Sequence, residues 1–176
     1  MYRQTCQWMY SFVIVFCMLC ALPGAVKTQQ KGNGAAHLSP QHREAVERWL
    51  AGKPNLRLAT VADCLNKDGL AATRKQFGKN YHPYYTVGDF NRDKRGDFAV
   101  ALIDKRKKKN KFAVAIFNGS VGKIIAPAFF EEGWDLSDGG LSNGNGGVMA
   151  GTFESDNCVI LRPRGKKYVV VDCLEG

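Results

Sequence analysis

The sequence contains only 3 histidines, and its one G-x-S-x-G match, GLSNG at residues 140–144, is not followed by the helix pattern of a nucleophile elbow. His37 precedes the predicted domain, His42 falls in a predicted helix, and His82 stands before a proline. Cys64 has no obvious basic partner beside it in the sequence. Because a serine or cysteine nucleophile needs a positioned base, the sequence does not support a nucleophilic hydrolase.

Motifs for zinc, nucleotide phosphates and nucleic acid are also missing. The cysteines lack the spacing of zinc ligands. The glycine-rich stretch at residues 139–147 is followed by neither a Lys-Ser pair nor a helix pattern, so we predict a long flexible hairpin loop there. Aromatic residues do not alternate with the lysines of residues 105–111, which argues against binding of nucleic acid by base stacking.

No apolar run is long enough to cross a bilayer, which needs about 20 residues. The run at residues 11–22 has Arg3 as the only charge before it and ends at Pro23-Gly24. This layout predicts a signal peptide over residues 1–25, with an uncleaved membrane anchor as the alternative. We therefore expect a secreted or periplasmic protein with a flexible polar leader over residues 26–38 and a single globular domain over residues 39–176.

Acidic residues are few, 16 against 25 lysines and arginines, so the formal net charge is +9. Such a charge favours anionic partners without choosing among them. We expect a monomer that binds either a protein or an anionic polymer of the cell envelope.

Few cysteines remain once the predicted signal peptide is removed, namely Cys64, Cys158 and Cys173. In an oxidising compartment two of the three should pair. A hairpin that turns at Gly165-Lys166 places Cys158 opposite Cys173, close enough for a disulfide. We favour a Cys158–Cys173 disulfide, and a bridge from Cys64 to either of the other two is the alternative.

Helical patterns come first in the chain and strand patterns follow. Ser39-Pro40 starts an amphipathic helix that ends at Gly52, and two more short helices are predicted within residues 56–79, joined at Asp68-Gly69. Strand-like runs then occupy residues 84–87, 97–103, 111–117, 124–130, 148–153, 158–161 and 168–171. The predicted fold class is α+β, with short N-terminal helices packed on an antiparallel β-meander of about six to seven strands.

Two of the strand-like runs, DFAVALID and KFAVAIFN, are nearly a repeat. Most of the alanines of the two runs are expected on one face of the sheet. The large apolar residues are expected to share the other face: Phe98, Val100, Leu102, Phe112, Val114 and Ile116. The alanine face would let the N-terminal helices pack closely.

A regularly spaced set of oxygen-bearing side chains precedes the first of these two runs. Asp89, Asn91 and Asp93 alternate along the chain, Arg95 can offer its backbone carbonyl, and Asp97 starts the next strand. Calcium prefers six to eight oxygen ligands of this kind. The spacing predicts a calcium site, and the alternative is a structural loop closed by side-chain turns and salt bridges.

The segment GDFNRDKRGDFAV at residues 88–100 resembles the calcium loop of FG-GAP or VCBS repeats, the β-hairpin units of integrin-type propellers. The family pattern is close to G-D-x-[DN]-x-D-G-x-x-D-[LF]-[AV]-V, and Lys94 stands here in place of its glycine after the third ligand. The resemblance covers about residues 84–117 and implies a calcium-binding hairpin. One good copy cannot form a propeller, which needs several repeats.

Two stretches could form a binding surface. The cationic tip predicted between the paired strands could dock on an anionic polymer, or it could be a solvated hairpin tip that discourages aggregation: Lys105, Arg106, Lys107, Lys108 and Lys109. The stretch YHPYY at residues 81–85 could supply aromatic contacts to a partner, with part of it buried in the core: Tyr81, His82, Tyr84 and Tyr85.

We therefore predict an exported, non-catalytic domain with a calcium-binding loop. The alternative function is a glycoside-hydrolase-like enzyme, because four carboxylates cluster in the sequence around the aromatic ring of Trp134: Glu131, Glu132, Asp135 and Asp138. Two carboxylates with an aromatic platform could cleave sugars.

Overall fold

The computed structural model describes residues 35–119, 126–144 and 146–175. The predicted signal peptide, most of the predicted leader and the start of the strand predicted at residues 124–130 lie outside the described residues. No helix in the described ranges is long and apolar enough to cross a membrane.

Two short α-helices precede most of the strands. Helix α1 spans Pro40–Leu50, and the Ser39 side chain caps it by accepting a hydrogen bond from the His42 backbone N–H at 3.2 Å. Helix α2 spans Lys67–Phe77 and is capped by Asn66, whose side chain accepts from the Gly69 N–H at 2.7 Å. The helix break predicted at Asp68-Gly69 is wrong, because these residues form the first turn of α2.

Nine strands are present among the described residues, and they form two antiparallel sheets. The first sheet has the order β1-β3-β4-β5, and β2 also pairs with β3. The second sheet is a simple meander in the order β6-β7-β8-β9. The strand bounds are β1 Leu56–Leu58, β2 Tyr85–Gly88, β3 Asp97–Asp104, β4 Phe112–Phe117, β5 Phe129–Trp134, β6 Gly139–Gly144, β7 Gly147–Thr152, β8 Cys158–Arg164 and β9 Lys167–Asp172.

The predicted α+β meander is wrong. The described chain is mostly antiparallel β-structure in two sheets, with only two short α-helices. The main cause is the glycine-rich stretch at residues 139–147, which we expected to be a flexible loop. It contributes β6 and the start of β7, which pair from Gly139 with Thr152 to Gly144 with Gly147 and open the second sheet.

The central strands β3 and β4 are buried along their whole length. Their register pairs Val100 with Ala115 and Ala101 with Val114, so a large side chain lies opposite a small one on each face. The prediction that all the large residues of both strands share one face is therefore wrong. It assumed a register one residue away from the observed one, and a shift of one residue moves a whole side-chain set to the other face.

Both faces of the first sheet are covered by separate core clusters. One face, with Ala99 and Val114, packs against second-sheet residues such as Leu141 and Leu161. The opposite face packs against α1 through Val46. The first sheet is thus the middle layer, which explains why its central strands are apolar without alternation.

The C-terminal hairpin follows the predicted register. Arg164 pairs with Lys167 and Val159 pairs with Asp172, so the turn is at Gly165-Lys166. The predicted Cys158–Cys173 disulfide is confirmed, with 5.5 Å between the Cα atoms. Cys64 is buried and is not part of it.

Candidate calcium loop and basic surfaces

The candidate calcium loop connects β2 to β3, and Asp97 at the first position of β3 anchors it. The Asp97 side chain is only 1% exposed. Its Oδ2 accepts hydrogen bonds from the backbone N–H of Phe90 at 2.9 Å and of Asn91 at 3.2 Å, and its Oδ1 accepts from the N–H of Gly119 at 2.8 Å. Burial raises the pKa of the Asp97 carboxyl, and these three donors oppose the rise.

Gly119 is a partner of Asp97 that sequence reasoning missed. It lies beyond the end of β4 and has a φ of 81°. Since β3 and β4 are antiparallel neighbours, their pairing brings residue 119 beside the start of β3. The Asn118-Gly119 dipeptide is a turn signal in the sequence, but only the register shows which carboxylate it meets.

The exposed part of the loop is closed by side-chain turns. The two carboxylate oxygens of Asp89 accept from the N–H groups of Asp93 at 3.0 Å and Lys94 at 2.9 Å. Asn91 Oδ1 also accepts from the Asp93 N–H at 3.0 Å, and Asp93 Oδ1 accepts from the Arg95 N–H at 2.9 Å. The predicted ligand side chains therefore point into the turn that their own backbone forms.

Two loop residues adopt a left-handed backbone, Arg92 with a φ of 61° and Lys94 with a φ of 64°. Lys94 stands where the repeat family has glycine, the residue that takes this conformation at no steric cost. For lysine the conformation costs about 1 kcal/mol or more. The loop thus keeps the left-handed conformation that the family glycine would allow, although lysine occupies the position.

The loop carboxylates have no cationic partner in the described part of the chain. None of Asp89, Asp93 and Asp97 forms an ion pair there, although Arg92, Lys94 and Arg95 are close in sequence. The side-chain turns of the structural alternative are therefore observed, whereas its salt bridges are not. Over the described ranges, no cluster of three or more His, Cys, Asp or Glu side chains is arranged to hold a metal.

The cationic tip lies at the other end of β3, and part of it is paired with acids. Asp104 at the end of β3 accepts from Arg106 Nε at 2.8 Å and from Arg106 Nη2 at 2.7 Å, and these hydrogen bonds lower the pKa of Asp104 to about 2. Lys107 contacts Glu132 at 3.2 Å. The remaining tip lysines are exposed and form no ion pair with a described residue: Lys105, Lys108 and Lys109.

The YHPYY stretch joins layers of the core and does not form an open aromatic surface. Tyr84 is fully buried and donates a hydrogen bond to the Leu136 carbonyl at 3.0 Å, so it cannot contact a partner. Tyr81 is half-buried and donates to the Leu141 carbonyl at 3.3 Å, which links it to β6. The Tyr85 hydroxyl lies 2.7 Å from His42 Nδ1 and thus links β2 to α1.

His82 completes this junction by stacking on His37, with 3.4 Å between ring centroids. Its Nδ1 accepts from the Tyr84 backbone N–H at 3.2 Å. Burial, followed by the charge of Arg43, lowers the pKa of His37 to about 4. Burial, followed by His37 and Arg74, lowers the pKa of His82 to about 3. Both rings are neutral at physiological pH and act as packed structural groups.

The four carboxylates around Trp134 lack the burial that is typical of a catalytic acid. Glu131 and Glu132 are neighbours on β5, so their side chains leave opposite faces of the strand. Asp135 accepts from the N–H and hydroxyl of Ser137, which lowers its pKa. A glycosidase acid needs surroundings that raise its pKa, and all four carboxylates, Asp138 included, are exposed.

No family model, curated protein or solved structure matches this chain.

Proposed function

We propose that this chain is an exported, non-catalytic β-domain whose loop at residues 89–97 binds calcium. The observation that carries the proposal is a set of three carboxylates, from Asp89, Asp93 and Asp97, that no described cation neutralises. Like charges in one turn repel one another, so a bound cation would stabilise the fold. The resemblance to FG-GAP and VCBS calcium loops supports the same assignment.

The donor chemistry of the loop fits calcium. Carboxylate, amide and backbone carbonyl oxygens are the ligands that calcium prefers, and Asp89, Asn91, Asp93 and the Arg95 carbonyl would supply them. Asp97 accepts one hydrogen bond at Oδ1 and two at Oδ2, so its Oδ1 keeps a lone pair for a further contact. Bound calcium would supply charge neutralisation and rigidity at the start of β3.

The disulfide supports the exported location. Disulfides form and persist in secreted and periplasmic proteins and are rare in the cytosol. Together with the signal peptide predicted over residues 1–25, the Cys158–Cys173 disulfide favours an oxidising compartment.

Calcium is expected to raise the melting temperature of the purified protein, and magnesium much less. At a hundredfold excess over Kd the gain is about 2.7 kcal/mol, which is several degrees for a domain of this size. Asp93→Ala should abolish the gain, because it removes an exposed ligand and no core contact. Glu131→Ala is the matched control, since it removes an exposed carboxylate elsewhere and should leave the gain intact. No calcium-specific rise in the wild type would reject the proposal.

We further propose that the cationic tip binds an anionic polymer of the cell envelope. Lys105, Lys108 and Lys109 are exposed and unpaired within the described residues, whereas Arg106 and Lys107 are held by Asp104 and Glu132. The pairing of Arg106 with Asp104 fixes the tip without using the outer lysines. These lysines therefore carry the binding, and the paired cations position them.

Lys108→Gln/Lys109→Gln is expected to weaken binding to heparin, used as a model anionic polymer. Each exposed ion contact is worth about 0.5–1 kcal/mol, so the double variant should lose about five- to thirtyfold in affinity. Lys75→Gln/Lys79→Gln removes the same charge from α2 and the loop after it, and affinity should change much less. Equal losses in the two double variants would show that net charge alone is responsible.

A further inference from the structure

A polar pocket lies between three connections that come from different parts of the sequence. It has a volume of about 600 Å³ and is lined by the β2–β3 loop, the β6–β7 turn and the β8–β9 hairpin: Asn91, Arg92, Gly146, Arg162, Pro163 and Gly165. Two of the lining residues are arginines, and none of the described lining residues is a carboxylate. The cationic tip does not reach this pocket, and the calcium proposal shares only Asn91 with it.

Arg92 reaches from the first sheet to the second. Its guanidinium lies against Gly146 so closely that a Cβ added to Gly146 would be 2.5 Å from Arg92 Nη2. Gly146 has a φ of 73°, a further reason for glycine at this position. The guanidinium of Arg92 thus lies beside the β6–β7 turn, and it forms no ion pair with a described residue.

Arg162 on β8 lines the same pocket and carries an unsatisfied donor. Its Nε is buried and has no hydrogen-bond acceptor in the described part of the chain. Arg162 also lacks an ion pair there. A buried donor without an acceptor costs about 1–3 kcal/mol, and more when the group is charged. Native structures therefore rarely leave such a donor unsatisfied.

We propose that this pocket binds a tetrahedral oxyanion, a phosphate or sulfate group, between Arg92 and Arg162. The planar guanidinium offers several donors in a fork that matches such oxygens, and the bonds it forms with them are charge-assisted. An acceptor oxygen at Arg162 Nε would satisfy the buried donor. The site lies at the Asp97 end of β3, about 25 Å along that eight-residue strand from the cationic tip.

The test is a titration of the purified, chelator-treated protein with sodium phosphate and with sodium sulfate, followed by calorimetry. Ionic strength is held constant with sodium chloride, and acetate is a third ligand that distinguishes a tetrahedral anion from a carboxylate. Saturable binding of phosphate or sulfate, tighter than that of acetate, is expected. The preferred anion shows whether a phosphate-bearing or a sulfated molecule is the natural source.

Arg162→Gln and Arg92→Gln are each expected to weaken this binding about tenfold or more, the usual effect of losing a charged hydrogen bond. Arg164→Gln is the matched control, because it removes the same charge two residues away on the same hairpin and does not line the pocket. Its affinity should stay within about twofold of the wild type. If Arg162→Gln does not fold, Arg92→Gln decides, since Arg92 is exposed.

Two results would overturn the proposal: no saturable binding beyond that of chloride, or equal losses in the Arg92 and Arg164 variants. Because calcium is absent from the titration, neither result bears on the calcium proposal. Conversely, a failed calcium melt leaves the anion site standing.

Discussion

Asp97→Ala is expected to lower the free energy of unfolding by about 4 kcal/mol. The substitution leaves the backbone N–H groups of Phe90, Asn91 and Gly119 without their acceptor. Each unsatisfied buried donor costs about 1–3 kcal/mol. Removal of the buried charge of Asp97 offsets part of the combined cost of the three donors. Asp97 is at once a predicted calcium ligand and the group that ties the loop to the end of β4.

Urea unfolding in the presence of chelator measures this effect without any contribution from calcium. Asp93→Ala is the matched control, because Asp93 is exposed and its loss should cost less than about 1 kcal/mol under the same conditions. Asp97→Asn should fall between the two, since the amide keeps one acceptor oxygen. If Asp97→Ala cost no more than Asp93→Ala, the anchoring role of Asp97 would be disproved.

Gly139→Ala is expected to destabilise the protein by about 3 kcal/mol or more, or to prevent folding. A Cβ at residue 139 would lie 1.9 Å from the backbone oxygen of Gly151 on the neighbouring strand. No rotamer change can relieve a clash with backbone, so β6 and β7 would have to separate, and overpacking of this kind costs about 1–3 kcal/mol or more. Thermal or urea unfolding measures the loss.

Gly144→Ala is the matched control on the same strand. A Cβ at residue 144 would have nothing within 4 Å, and Gly144 is absent from the residues with positive φ. Alanine there should change stability by less than about 0.5–1 kcal/mol and could be favourable. Equal losses at the two glycines would mean that residues 139–144 behave as the flexible loop that their composition predicts.

The glycine-rich stretch shows why composition misled the fold prediction. Glycine has weak strand propensity and is frequent in loops, so residues 139–147 read as a turn. In the structure Gly139 and Gly151 are glycines because neighbouring backbone and side chains approach them closely. This reason depends on which strands are neighbours, a property that no local window of sequence contains.

The turn at residues 89–97 was predictable because its signal is local. Alternating oxygen-bearing residues over residues 89–97 specify a turn in which side chains accept from nearby backbone N–H groups, and such a turn is observed. The same holds for the hairpin that joins Cys158 to Cys173, whose turn residues set the register. Local chemistry decides these features, whatever surrounds them.

The sequence by itself determined the start of α1, most of the strands, the turn at residues 89–97, the register of the β8–β9 hairpin and the disulfide. Short-range geometry suffices for each of these features. The tertiary structure alone decided that there are two sheets, that both faces of β3 and β4 are buried, and that Tyr84 belongs to the core. It alone brought Arg92 to Arg162 and Gly119 to Asp97. Those contacts join segments distant in sequence, and the free energy of packing whole layers selects them.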